Sequence, residues 1–177
     1  MYERRALAEK IRFDRAFEVT LGYEGGYVND PLDPGGETQF GISKRSYPHL
    51  DIAALTVADA RRIYYRDYWE KLGLHNVQSD VIAGEIFDTA VNMGRRAAAR
   101  IVQESVNFLG GNLAVDGIIG SATIAAINAW ASKDERAFYI TLNGFQFMRY
   151  VQIVEKMPDK VRFSRGWTKR IQQYREE

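Results

Sequence analysis

The stretch "LGYEGGYVNDPLDPGGETQFGIS", residues 21–43, sets Glu24, Asp30 and Asp33 among closely spaced glycines and prolines. Glycine and proline favour turns, so the stretch predicts a loop or hairpin between regular elements. An ordinary turn needs only one or two such residues. The clustering of carboxylates with turn residues therefore indicates a chemical role for this loop.

An apolar stripe of helical spacing leads into the loop and ends on a carboxylate; its members are Phe13, Phe17, Leu21 and Glu24. The spacing predicts a helix from about Asp14 to Tyr23, which the Gly25-Gly26 pair ends. Glu24 then lies in the last turn, where a carboxylate meets the negative end of the helix dipole. A residue placed against local preference is a candidate for function.

Two short strands are predicted around the Pro/Gly turn, at residues 27–28 and 39–42, and the chain beyond them has helical periodicity. Capping residues, glycines and a proline mark the helix boundaries there: Thr56 with Asp59, Gly73, Gly94, Gly110-Gly111, Ser121, Ser132 with Glu135, and Pro158. Ser132 and Glu135 predict the start of a long helix that Pro158 stops, and a last helix follows from about Asp159 to Tyr174. The sequence therefore predicts a mainly α fold with a small β-hairpin.

The composition bounds the class of protein. A chain of 177 residues suits one globular domain, and its net charge of +1 gives no general attraction to nucleic acid or to an anionic membrane. Without cysteine it forms no disulfides or thiolate metal sites. No apolar run approaches the ~20 residues of a membrane span, so no stable membrane insertion is expected. The charged N-terminal segment has no signal-peptide core.

The carboxylates of the loop fit the chemistry of glycoside hydrolysis. Such an enzyme needs one protonated carboxyl as general acid and one ionised carboxylate on the anomeric side. Apolar neighbours and the helix end would both raise the pKa of Glu24, whereas turn amides would keep Asp33 ionised. Thr38 could place a water. Asp30 is the reserve candidate, and for it a plain turn role is equally consistent with the sequence.

The segment "EGGYVNDPLDPGGETQFGIS" resembles the signature of glycoside hydrolase family 108, lysozyme-like N-acetylmuramidases of phages, prophages and bacterial secretion loci that cut peptidoglycan. The resemblance implies a lysozyme-like fold with the hairpin at the active-site cleft, and it implies that Glu24 is the catalytic acid. It also aligns Asp33 and Thr38 with the family's Asp–Gly-Gly–Thr portion. Tyr27, in the same motif, is a candidate for substrate binding.

The resemblance extends from about Phe13 to Tyr174. In "FDTAVNMGRRAAARIVQ" it implies that Asp88 and Asn92, four residues apart and so on one helix face, line the cleft. The stretch "LAVDGIIGSATIAAIN" is similar to helical peptidoglycan-binding modules, and "FSRGWTKRI" is similar to the family's closing helix. We therefore divide the chain into an N-terminal arm, residues 1–13, a muramidase region, 14–94, and a peptidoglycan-binding-like region, 95–177, packed into the same domain.

Aromatic residues at helical spacing supply further candidates for sugar binding. Tyr65 and Trp69, one turn apart, are the best placed to stack on a sugar, although aromatics in this pattern are more often core residues. The cations Arg95, Arg96 and Arg100 would suit the acidic stem peptides of peptidoglycan, while a solvated helix face is the more usual explanation.

These residues predict hydrolysis of the peptidoglycan glycan strand, at the β-1,4 bond after N-acetylmuramic acid, with no metal or organic cofactor and no nucleic-acid partner. The alternative is a non-catalytic peptidoglycan-binding module that assists secretion. Synthesis in the cytoplasm without a signal peptide, and action on peptidoglycan in the periplasm or cell wall, would call for release by a holin or export machinery.

Overall fold

The computed structural model describes residues 2–22, 26–29 and 36–171, with the side chains of residues 2–6 excepted. The chain forms two compact units, Met1–Lys71 and Leu72–Glu177.

The first unit begins with a long helix, α1, Tyr2–Leu21. It starts well before the predicted Asp14, because no proline or glycine interrupts the sequence until Gly22. Residues 2–13 are therefore continuous with the helix and do not form a separate arm. The buried Phe13 and Phe17 lie on one face of α1, as their spacing predicts.

A small antiparallel sheet follows, made of β1, Thr38–Gln39, and β2, Ile42–Ser43, with Gln39 opposite Ile42. Phe40 and Gly41 join the strands with positive φ at both positions, 52° and 74°, which is the two-residue turn that suits the twist of a hairpin. The segment predicted as one strand, residues 39–42, thus folds back on itself. Val28 pairs with Thr38 through an isolated bridge, which confirms a small β-structure here.

Helix α2, Val57–Tyr64, begins at a complete capping box of Thr56 and Asp59, as predicted. It continues into a π-helical segment, Tyr65–Glu70. Together with α1 these elements bury an aromatic core. Its members include Phe13, Phe17, Tyr64 and Trp69.

The second unit contains a 3₁₀ turn, Leu74–Asn76, helix α3, Asp80–Met93, helix α4, Arg95–Phe108, helix α5, Ser121–Lys156, a second 3₁₀ helix, Pro158–Phe163, and helix α6, Ser164–Thr168. Ser79 caps α3 by accepting from the amide of Ile82. Apolar faces of α3, α4 and α5 form the core. Its largest buried side chains include Ile82, Phe87, Ile101, Ile127 and Phe138.

Helix α5 spans what the sequence divides into two helices. The backbone leaves helical geometry at Asp134, with φ −160° and ψ 83°. The carboxylate of Asp134 accepts a hydrogen bond of 2.9 Å from the amide of Ala137 and so caps the second part of the helix. The Ser132 capping box was therefore predicted two residues too early. The last predicted helix is shorter than expected, since 3₁₀ geometry occupies residues 158–163.

The mainly α fold with a small β-hairpin is confirmed. Among the described helices, none is both long and apolar enough to cross a membrane.

Candidate functional site

The hairpin positions Thr38, the predicted water ligand. Its amide and carbonyl exchange two 2.8 Å hydrogen bonds with Val28, so the backbone is fixed on both sides. Its hydroxyl donates to the carbonyl of Gly36 at 3.3 Å and keeps its lone pairs for a further partner. Gly36 has φ 68°, in the left-handed region that glycine adopts at no steric cost.

Tyr27 lies next to this bridge, and 48% of its surface is exposed. Its ring is available to a ligand, as a substrate-binding residue requires. Glu24, Asp30 and Asp33 lie outside the described residues. Their roles, and their geometry relative to Thr38, therefore stay predictions.

The two aromatic candidates of the first unit differ in accessibility. Trp69 has 0% of its surface exposed, and its ring packs edge-on against Phe13 with centroids 5.6 Å apart. It presents no free ring face, so the core role weighed in the sequence analysis describes it. Tyr65 is half-buried, and its hydroxyl donates to Glu9 Oε1 at 2.8 Å. Burial first, and then this hydrogen bond, raise the pKa of Tyr65 to about 12.

Asp88 is held in a buried ion pair in the second unit. Its Oδ1 accepts from Arg170 Nη1 at 2.7 Å, and both side chains are almost wholly buried. Burial of two charges requires close pairing of this kind. Asp88 is thus positioned by a residue from the far end of the chain rather than exposed as an open ligand-binding carboxylate.

Asn92, one turn after Asp88, is partly exposed and is also held by the C-terminal part of the unit. Its Oδ1 accepts from the hydroxyl of Tyr150 at 2.8 Å, and that hydroxyl in turn accepts from Gln146 at 3.0 Å. The Tyr150 ring stacks on Trp167 with centroids 5.2 Å apart. This arrangement orients the Asn92 amide so that its NH₂ group points away from Tyr150.

Glu85 was missed by the sequence analysis. It is buried on the same helix, and burial is the largest cause that raises its pKa to about 8, followed by the charge of Asp88. Hydrogen bonds from Asn143, Tyr139 and Thr89 oppose the rise without cancelling it. The available signal was its position three residues before Asp88, which places the two carboxylates on one face of the helix.

The "VDGIIG" segment is a structural turn. Gln103 of α4 donates to Asp116 at 2.7 Å and to the carbonyl of Ile118 at 3.0 Å, and it accepts from the amide of Gly117. Gly117 has φ 80°. Arg95 and Arg96, by contrast, are exposed on α4 and keep the solvated position that the sequence favoured.

The described residues contain no group of three or more His, Cys, Asp or Glu side chains able to hold a metal ion.

The chain matches two known protein families, one after the other along the sequence. Residues 17–94 match the family described as glycosyl hydrolase 108, and residues 97–172 match the family described as a predicted peptidoglycan domain. Residues 17–94 belong to the glycosyl hydrolase 108 family. The family match includes the hairpin and all of α3, and the second match begins at α4.

The chain is also similar to a solved structure described as Brucella abortus SagA. The two share 26% sequence identity with a TM-score of 0.73, over 92% of this chain and 90% of that one. No curated protein matches the chain. The chain therefore has the lysozyme-like fold that its motifs implied, and the two family matches support a hydrolase related to peptidoglycan.

Proposed function

We propose that the protein is an N-acetylmuramidase that hydrolyses the β-1,4 bond after N-acetylmuramic acid in bacterial peptidoglycan. The observation that carries the proposal is the family match over residues 17–94, which contains the "EGGY" segment with Glu24. The adjacent match to a peptidoglycan domain supports the polymer as substrate.

In the proposed mechanism Glu24 protonates the glycosidic oxygen. Asp33, with Thr38, positions or activates the water or stabilises the oxocarbenium-like transition state. The rigid backbone of Thr38 supports the positioning role, because a hydroxyl on a doubly hydrogen-bonded residue can hold a water in one place. Tyr27 and Asp30 would contact the sugar from the same segment.

Asp88 and Asn92 have different parts in this proposal. The buried Asp88–Arg170 pair fixes the helix, while the partly exposed amide of Asn92 is free to donate toward the glycan. We propose that Asn92 is the binding residue and that Asp88 acts through the helix.

The site of action would be the periplasm or cell wall, reached from the cytoplasm through a holin or an export system. Phage-type lysis and assistance to secretion are both consistent with this chemistry.

The deciding experiment is mass spectrometry of the fragments released from purified sacculi. A muramidase leaves reducing N-acetylmuramic acid ends. Glu24→Gln should lower the rate by at least ~10²-fold, since general acid catalysis is worth ~10²–10⁴-fold. Glu18→Gln, which removes an exposed carboxylate of α1, is the matched control and should keep the wild-type rate.

The competing function is a non-catalytic module that only binds peptidoglycan. It predicts that the purified protein sediments with sacculi but releases no fragments, with or without Glu24. A folded Glu24→Gln variant with wild-type release would reject the mechanism, and the absence of release from the wild type would reject the enzyme.

A further inference from the structure

A cavity of about 640 Å³ lies between α1 and α2 in the first unit. Its size is within the ~300–1,000 Å³ of small-ligand sites. Glu9, Lys10 and Phe13 form the wall on α1. Those residues precede the region that matches the glycosyl hydrolase family, residues 17–94, so the cavity depends on the N-terminal extension of α1.

The floor of the cavity is apolar. Phe13 is buried, and the ring of Tyr65 meets it edge-on with centroids 5.1 Å apart. Ala58, in the first turn of α2, adds a methyl group on the opposite side. Small aliphatic side chains such as methyl groups fit a surface of this kind.

Charges of both signs surround this floor. Arg61 and Arg62 of α2 are paired with Asp14 and Asp59, with 36% and 76% of their side chains exposed. A guanidinium has five donors, so one carboxylate does not exhaust it, and each arginine can still bind a second anion.

The α1 side supplies the remaining charges. Lys10 is exposed beside the two arginines. Glu9 accepts from the Tyr65 hydroxyl at 2.8 Å, which fixes one carboxylate oxygen and leaves the other available. The cavity therefore offers cations for carboxylates, an anion for an amine, and an apolar floor between them.

We propose that this cavity binds the stem peptide of peptidoglycan, a short acidic peptide with alanine methyl groups and a diamino acid. The peptide's carboxylates would bind Arg61, Arg62 and Lys10, and its free ammonium group would bind Glu9. The choice of ligand rests on the proposed function, because it takes peptidoglycan as substrate. It does not rest on hydrolysis, since binding at this site needs no reacting group.

The test is a titration of the full-length protein with synthetic stem tetrapeptide, L-alanyl-γ-D-glutamyl-meso-diaminopimelyl-D-alanine, followed by NMR chemical shifts. Saturable shifts of α1 and α2 amides around the cavity are expected. Lys10→Ala combined with Arg62→Ala should weaken binding by about five- to tenfold, because two exposed ion pairs are lost. Raising the ionic strength to 1 M should weaken wild-type binding in the same direction.

The matched control removes two cations of the same unit outside the cavity, Arg15→Ala with Lys71→Ala. Like the test pair, it joins an exposed residue of α1 to an exposed, ion-paired one, here paired with Asp67. Its affinity should stay within about twofold of wild type. A second variant, Ala58→Trp, fills the cavity from an exposed helix position without changing any charge, and it should abolish binding.

Three outcomes overturn the proposal: no saturable shifts around the cavity, wild-type affinity in Ala58→Trp, or equal losses in the test and control pairs. Hydrolysis gives a separate readout. On sacculi, the Lys10→Ala/Arg62→Ala variant should release fragments more slowly than wild type. On glycan strands stripped of their peptides by an amidase, it should release fragments at the wild-type rate. A protein that binds the tetrapeptide yet releases no fragments would reject the muramidase while keeping this site.

Discussion

Arg170 and Asp88 are 82 residues apart in sequence, yet the guanidinium Nη1 lies 2.7 Å from the carboxylate in the interior of the second unit. Asp88 belongs to the glycosyl hydrolase match and Arg170 to the peptidoglycan-domain match. One helical turn after Asp88, Asn92 accepts a hydrogen bond from the Tyr150 hydroxyl, which makes a second contact between the two matched regions. The second unit thus contains residues of both matched regions, because Arg170 and Tyr150 bind side chains of α3.

Replacing Arg170 with methionine should destabilise the protein by ~3–5 kcal/mol, because it leaves a buried carboxylate without its cation. Urea unfolding followed by circular dichroism measures the change. Arg165→Met, at an exposed position of α6 five residues before Arg170, should change the free energy of unfolding by no more than ~0.5 kcal/mol. Asp88→Leu with Arg170→Met should recover part of the loss. Equal stability of Arg170→Met and wild type would contradict the pairing.

Glu85 should make the protein less stable as the pH rises. Its pKa is raised from 4.5 to about 8 in the fold, so the folded state holds a proton that the unfolded state has lost between those values. The contribution of Glu85 to stability is then full below about pH 4.5, and it is lost by up to ~1.4 kcal/mol per pH unit as the pH rises to about 8. Asp88, Tyr139 and Tyr150 are the other titratable groups around it.

Glu85→Gln should remove this slope and make the protein more stable than wild type at pH 8. Urea unfolding at several pH values between 5 and 8.5 measures it. Glu155→Gln, an exposed carboxylate of α5, should leave the wild-type slope unchanged. If Glu85→Gln keeps the wild-type slope, the carboxyl titrates near its ordinary value.

The sequence predicted the fold where local signals and packing agree. The Thr56–Asp59 capping box and the apolar spacing of Phe13 and Phe17 give the same answer as the structure. Local signals failed where two of them compete. Ser132 and Asp134 are both residues that favour a helix N-cap, and in the structure Asp134 is the one that caps. The turn at Phe40-Gly41 was missed because phenylalanine rarely adopts positive φ.

The candidate site, like the fold, was predicted from the sequence only in part. Asp88 and Asn92 were placed on one helix face by their spacing alone. Their partners Arg170 and Tyr150 could not be found that way, because pairing over such separations depends on how α3, α5 and the C-terminal segment pack. Trp69 illustrates the reverse: its helical spacing allows a sugar platform but is more often that of a core residue, and its burial shows that it belongs to the core.

Gly36→Val should harm activity on sacculi more than global stability. The position has φ 68°, where a Cβ atom costs ~1–2 kcal/mol and a β-branched residue more. The added atom itself meets only Lys44 Cβ at 3.9 Å, so the cost is one of backbone conformation that would displace the hairpin. Gly120→Val, at an exposed position with φ −95° and nothing within 4 Å, is the control. Turbidity clearing and thermal unfolding measure the two effects, and equal activity of both variants would contradict the argument.

Thr38→Val tests the water-positioning role directly. The substitution keeps the β-branched shape and both backbone bonds to Val28, so the sheet should persist. It removes the hydroxyl that donates to Gly36, a partly buried bond worth ~0.5–1.5 kcal/mol of stability. If the hydroxyl also holds the attacking water, the rate of fragment release should fall by about ten- to hundredfold, because a misplaced reactant loses most of the benefit of orientation. Thr38→Ser restores the hydroxyl and should recover most of the rate. A Thr38→Val enzyme with wild-type rate would remove Thr38 from the mechanism, whereas equal losses in the valine and serine variants would assign it a packing role only.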